Sequence, residues 1–111
     1  MMDVRYMSPE AAKRSMGSLA GEPTIENDIA SDVYSLGVVL WEIYHGSRPY
    51  GDISDDSALH TIASGNVLVY MDDSPDASLN TIQRAGERAC TPSPEGRPTA
   101  AIISSMLSNM W

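Results

Sequence analysis

Residues 31–42 read Ser31-Asp32-Val33-Tyr34-Ser35-Leu36-Gly37-Val38-Val39-Leu40-Trp41-Glu42. Nine of the twelve residues from Val33 to Tyr44 are apolar or aromatic, and they occupy every side of a 3.6-residue wheel rather than one stripe. A helix with that pattern is expected to be buried all round. Ser31 or Asp32 can supply its N-cap, Asp32 suits the positive end of a helix, and Gly46 offers a left-handed stop after His45, so the expected span is about 32 to 45. Glu42, and a run shorter than the roughly 20 apolar residues of a membrane span, argue against a bilayer crossing.

On the N-terminal side, Pro9 disfavours helix at Ser8, and a short helix is expected from Glu10 to Ser15. Gly17 to Asp28 gathers Gly17, Ser18, Gly21, Pro23, Thr24 and Asn27 and reads as a surface loop. On the C-terminal side, Pro49 and Gly51 turn the chain. Asp55 or Asp56 then caps a modest amphipathic helix carrying Ala58, Leu59, Ile62 and Ala63, which Gly65 ends. Asn66 to Asp76 reads as loop around an apolar patch from Val67 to Met71. Leu79, Ile82, Ala85 and Ala89 recur at helical spacing and predict a helix over 78–90, despite the roughly 1 kcal/mol cost of Gly86. Pro98, tolerated in a first turn, opens a last helix with Ile102, Ile103, Met106, Leu107 and Met110 on one face. The expected fold is mainly α, with little credible sheet.

Composition narrows the function classes. The chain has 111 residues, enough for one domain, and 42% are apolar, enough for a core. Fifteen Asp and Glu against seven Lys and Arg give a net charge of −8, which opposes a non-specific grip on nucleic acid or anionic membrane. One cysteine, Cys90, excludes an internal disulfide, and the first twenty residues hold no apolar signal core. An intracellular, cytoplasmic setting is the expectation. His45, His60 and Cys90 lack zinc-ligand spacing.

Three pieces occur in a telling order: Tyr6-Met7-Ser8-Pro9-Glu10, the block from Ser31 to Glu42, and Gly96-Arg97-Pro98-Thr99. Together they resemble the large lobe of eukaryotic protein kinases, from Val4 to Leu107, with Gly46-Ser47-Arg48-Pro49-Tyr50 resembling the loop after the family's buried helix F. The resemblance implies the C-terminal helical lobe of the kinase fold without its β-rich N-terminal lobe, residues 1–111 forming a partial kinase domain. It implies that Glu10 pairs with Arg97, whose fork suits a carboxylate. It implies that Asp32 receives hydrogen bonds from a catalytic loop, beside the simpler reading of Asp32 as a helix cap. It also implies that Arg5, Tyr6 and Met7 line the pocket for the substrate residue after the phosphoacceptor, with loop packing as the plain alternative. The wording Ser31 to Gly37 resembles the tyrosine-kinase-like serine/threonine group, while Tyr6 to Glu10 suits a tyrosine kinase equally. Two departures stand out: the long interval from Glu10 to Asp32, read as a surface insertion, and Cys90-Thr91 where many members have Cys-Trp.

Phosphoryl transfer needs a phosphate lid, a lysine on the phosphates, a catalytic aspartate and magnesium ligands. The eight glycines form no G-x-G-x-x-G, the single lysine, Lys13, follows Glu10 rather than such a loop, no His begins H-R-D, and the absence of Phe rules out D-F-G. No residue is therefore assigned a catalytic, cofactor or metal role; ATP and magnesium belong to the complete parent. In family order the missing motifs precede Met7, so the expectation is a truncated domain, inert alone, whose partners are a protein substrate or another protein. A stand-alone kinase-like interaction module is the competing reading. Asp52, Asp55, Asp56, Asp72, Asp73 and Asp76 form an acidic region that is either a solvated face or a steering field for basic partners.

Overall fold

The computed structural model describes residues 4–17, 25–65, 68–70 and 76–108. The expected loop over 18–24, most of the 66–76 segment, Asp72, Asp73 and the face position of Met110 lie outside them. Among the described residues there are five α-helices and no strand: α1 (Pro9–Ser15), α2 (Ile25–His45), α3 (Asp55–Ala63), α4 (Ala77–Ala89) and α5 (Ala100–Ser108). Short 3-10 turns at Val4–Tyr6 and Pro94–Gly96 precede α1 and α5. The mainly helical fold matches the expectation.

The helix starts differ from their sequence reading for identifiable reasons. Ser8, extended at its own backbone, caps α1 by accepting from the Ala11 N–H at 3.2 Å, with Pro9 in the first turn where its missing N–H costs nothing. Ser54, not Asp55 or Asp56, caps α3; the two aspartates instead fill its first turn, where the helix dipole favours them. Asp76 caps α4 through its carboxylate. Thr99 caps α5, so Pro98 lies outside that helix.

The largest correction concerns α2. It begins at Ile25, so residues 25–28 of the expected loop are helical and Asp32 sits inside the helix rather than at its cap. Its C-terminal end is as expected: Gly46 adopts φ 65° and returns its N–H to the Glu42 carbonyl at 2.7 Å.

Helix α2 packs most extensively on α4. Val33, Leu40, Ile82, Ala85, Ala89 and Ile103 form the main buried cluster, each large member contributing about 1.5–3 kcal/mol by leaving water. Close approach of the two helices rests on Gly37: a Cβ there would stand 2.6 Å from Cys90 Sγ and 2.8 Å from Ala89 Cβ. A second cluster, Ala12, Ile62 and Ala63, joins α1 to α3. A third holds Tyr34, Val38 and Cys90 under Tyr6 and Leu68.

Burial of α2 all round is not what the structure shows. Ile29, Val39 and Ile43 remain 57%, 41% and 58% exposed. With Asp32 and half-buried Leu36 they follow the spacing 29, 32, 36, 39, 43, one continuous stripe on the helix. Composition gave the apolar content of this helix, but which face is covered depends on what packs against it.

Candidate functional site

The local sequence around Ser8-Pro9-Glu10 places an acid in the first turn of α1, and Arg97 follows the 3-10 turn that leads into α5. Across 87 positions the two side chains meet in a two-pronged pair: Nη1 to Glu10 Oε2 at 2.6 Å and Nη2 to Oε1 at 2.8 Å. The Arg97 side chain is 1% exposed and that of Glu10 16%. A buried guanidinium is tolerable only when its donors are satisfied. Here Nε donates to the Thr91 carbonyl at 2.7 Å, Nη1 also to Ala30 at 3.1 Å, and Nη2 also to Pro92 at 3.0 Å. All five N–H groups are used, and the guanidinium carbon stands 4.9 Å from the centroid of the buried Tyr34 ring.

Glu10 is held equally closely. The Ser31 hydroxyl donates to its Oε2 at 3.0 Å and lies 2.8 Å from the Ser8 hydroxyl. Burial pushes the Glu10 carboxyl up, but the Arg97 hydrogen bond and charge, its own backbone N–H and Ser31 together outweigh this and hold it below its ordinary value of 4.5. Ser31 therefore serves the clasp rather than capping α2.

Asp32 lies one residue further on and points to a different environment. It is exposed, and among the described residues its carboxylate has no hydrogen-bond or ion-pair partner.

The Arg5-Tyr6-Met7 strip runs beside this clasp. Arg5 is buried, with Nη1 donating to the carbonyls of Pro49 at 3.0 Å and of Tyr50, Nη2 to Ile53 at 2.7 Å, and Nε to Asp55 Oδ1 at 3.2 Å. These acceptors gather the turn between α2 and α3. Tyr50 within it holds φ 54°, a left-handed conformation that a tyrosine keeps only when its surroundings fix it. Tyr6 donates its hydroxyl to Glu42 Oε1 at 2.5 Å, and its carbonyl accepts from the Ser35 hydroxyl at 2.7 Å. Met7 packs on the Ala12, Ile62 and Ala63 cluster. The strip is thus anchored to α2, to α3 and to the turn joining them.

Sequence reasoning missed Ser8, Ser31, Ser35, Glu42 and Asp55 as members of this network. Serines carry no signal until their neighbours are known, and Arg5 takes three of its acceptors from backbone carbonyls, which every residue has. Asp55 stood out only as part of an acidic run.

Lys13 is exposed on α1, and among the described residues no three His, Cys, Asp or Glu side chains gather to hold a metal ion. No helix among them is long and apolar enough to cross a membrane.

An acid at the mouth of a short helix, clasped by a distant arginine beside a long apolar helix, is the architecture of the helical lobe of a protein kinase. The family described as protein tyrosine and serine/threonine kinase matches over residues 1–107, and the chain belongs to that family. Inactive tyrosine-protein kinase 7 of Mus musculus is 30% identical over 109 residues, covering 96% of this chain and 9% of that protein. Insulin-like growth factor 1 receptor of Bos taurus is 31% identical over 112 residues, covering 99% and 15%. Insulin receptor of Xenopus laevis is 30% identical over 110 residues, covering 98% and 7%. The chain therefore spans a small fraction of these relatives. The leaning toward the serine/threonine group finds no support among them: the relative whose name states a kinase class states tyrosine.

Proposed function

We propose that the chain is the C-terminal part of a protein kinase domain and is catalytically inert by itself. The observation that carries this reading is the Arg97–Glu10 clasp, with all five guanidinium donors satisfied, in a chain without lid, H-R-D or D-F-G. In this reading the complete parent transfers the ATP γ-phosphoryl group to a protein hydroxyl, and the relatives favour tyrosine over serine or threonine as acceptor. Asp32 and its stripe then face the part of the lobe that holds the catalytic loop. Tyr6 and Met7 help shape the surface that reads a peptide substrate, while Arg5, spent on the Pro49–Ile53 turn, holds that surface in place. The lone buried Cys90 is compatible with an intracellular setting.

The test is direct. Purified chain with ATP, magnesium and a tyrosine-containing protein acceptor is expected to incorporate no phosphate above buffer. Turnover that disappears on substituting a residue of this chain overturns the inert reading. In-frame His-Arg-Asp and Asp-Phe-Gly codons upstream of Met1 support an active parent.

A second reading, a kinase-like interaction module that binds a partner protein, is favoured by the exposed stripe of Ile29, Val39 and Ile43. The relative named as inactive shows that kinase-like chains need not catalyse. Stop codons throughout the upstream sequence favour this module.

A further inference from the structure

The C-terminal end of α2, the turn from Pro49 to Ile53 and the segment Leu68–Val69 border an open cavity of about 570 Å³. That is the size range of small-molecule sites, roughly 300–1,000 Å³. Its apolar walls are Trp41, Tyr50, Ile53 and Leu68. A smaller chamber of about 190 Å³ adjoins it and shares Trp41 and Leu68.

Two of these walls are held rigidly. The Trp41 indole donates Nε1–H to the Val69 carbonyl at 3.1 Å and stacks on His45 at 4.2 Å between centroids. Tyr50 keeps its left-handed backbone because Arg5 holds the turn. A binding surface fixed in advance loses little freedom when a ligand enters.

The charges around the mouth choose the ligand. Arg48, which also lines the cavity, lies 3.9 Å from Asp55, and Asp55 also lies 3.0 Å from the buried Arg5, so Arg48 and Asp55 face each other across the rim and Asp55 is already committed. Asp52 lines the cavity, is exposed, and has no ion-pair or hydrogen-bond partner among the described residues. Indole faces attract cations, and a chain of net charge −8 repels anions.

We propose that this cavity binds a small organic cation with an apolar body, its ring or alkyl part against Trp41, Ile53 and Leu68 and its ammonium beside Asp52. The proposal stands independently of any kinase activity.

The test uses the full chain carrying Trp111→Phe, so that Trp41 is the only indole. Its emission is followed during titration with 2-phenylethylammonium, with 2-phenylethanol and with phenylacetate. The ammonium is expected to give a saturable change, and its affinity to fall about threefold in Asp52→Asn, the scale of one exposed charge. High salt weakens binding in the same direction. The alcohol binds more weakly and the carboxylate weakest. Equilibrium dialysis of the unsubstituted chain with the same three probes reads the same order without any variant. No saturable response to the ammonium, an equal response to phenylacetate, or unchanged affinity in Asp52→Asn overturns the proposal.

Discussion

Helix α2 has one side that this chain completes and one that it does not. On the completed side Val33, Tyr34, Val38 and Leu40 are buried against α4 and its flanks, and the Arg97 network closes over the Ala30 carbonyl. On the other side Ile29, Val39 and Ile43 stand in water with Asp32 among them. Both faces are apolar in sequence, so hydrophobicity alone does not distinguish them. What distinguishes them is whether the rest of the chain brings a partner surface.

Removing the clasp is expected to have the largest effect. Arg97→Ala leaves Glu10 as a half-buried acid without its cation, and Glu10→Gln leaves a buried guanidinium without its anion; each should cost about 3–5 kcal/mol. Urea denaturation measures this, and a loss no larger than that of a substitution on the exposed stripe erases the contrast between the two sides. Gly37→Ala tests the helix crossing next. A methyl 2.6 Å from Cys90 Sγ forces α2 and α4 apart and should cost about 1–3 kcal/mol.

Acid should loosen the clasp. The Glu10 carboxyl titrates below 4.5 when folded, so its contribution is fully present above that ordinary value and is lost as pH falls through the lower folded value. Denaturation midpoints measured from about pH 7 downward should fall in this acid range, and Glu10→Gln should flatten the fall.

Cys90 sharpens the picture of the completed side. Burial pushes its thiol up to about 12, partly countered by Arg97, so alkylation should follow opening of the fold rather than thiolate chemistry. Labelling at the rate of a free thiol would show that the α2–α4 interface does not hold.

The smallest stability effect is expected from Ile43→Ser, within about 0.5 kcal/mol because the side chain is already largely exposed. The same substitution should reduce uptake of a hydrophobic dye, which the unsubstituted chain is expected to bind. With one uncovered face the thermal transition should be broad. A sharp melt without dye uptake would show that the stripe is covered in solution, and would favour the interaction module.

The helices were legible because their apolar spacing is local, whereas the capping residues Ser54 and Thr99 were not. Nor was the start of α2: Asn27, Asp28 and Ser31 look like turn formers, yet the helix runs back through them to Ile25. The meeting of Glu10 with Arg97 was legible only through family resemblance, since no periodicity links residues 87 positions apart. The Arg5 clamp was illegible by either route, because it is recognised largely by main-chain oxygens. Exposure of the Val39 side was misjudged because a sequence states what a face is made of, while its neighbours decide whether water reaches it.

The clasp also has a consequence for how the molecule is made. A ribosome adds roughly 5–20 residues per second, so the acid emerges roughly 4–17 seconds before the base 87 positions later. For the last 52 of those 87 positions the nascent polypeptide already contains all of α2 but lacks the arginine that locks its early half. Newborn copies therefore pass through a sticky stage whose duration is set by translation speed, and slowing synthesis between His45 and Arg97 lengthens their exposure to chaperones and proteases alike.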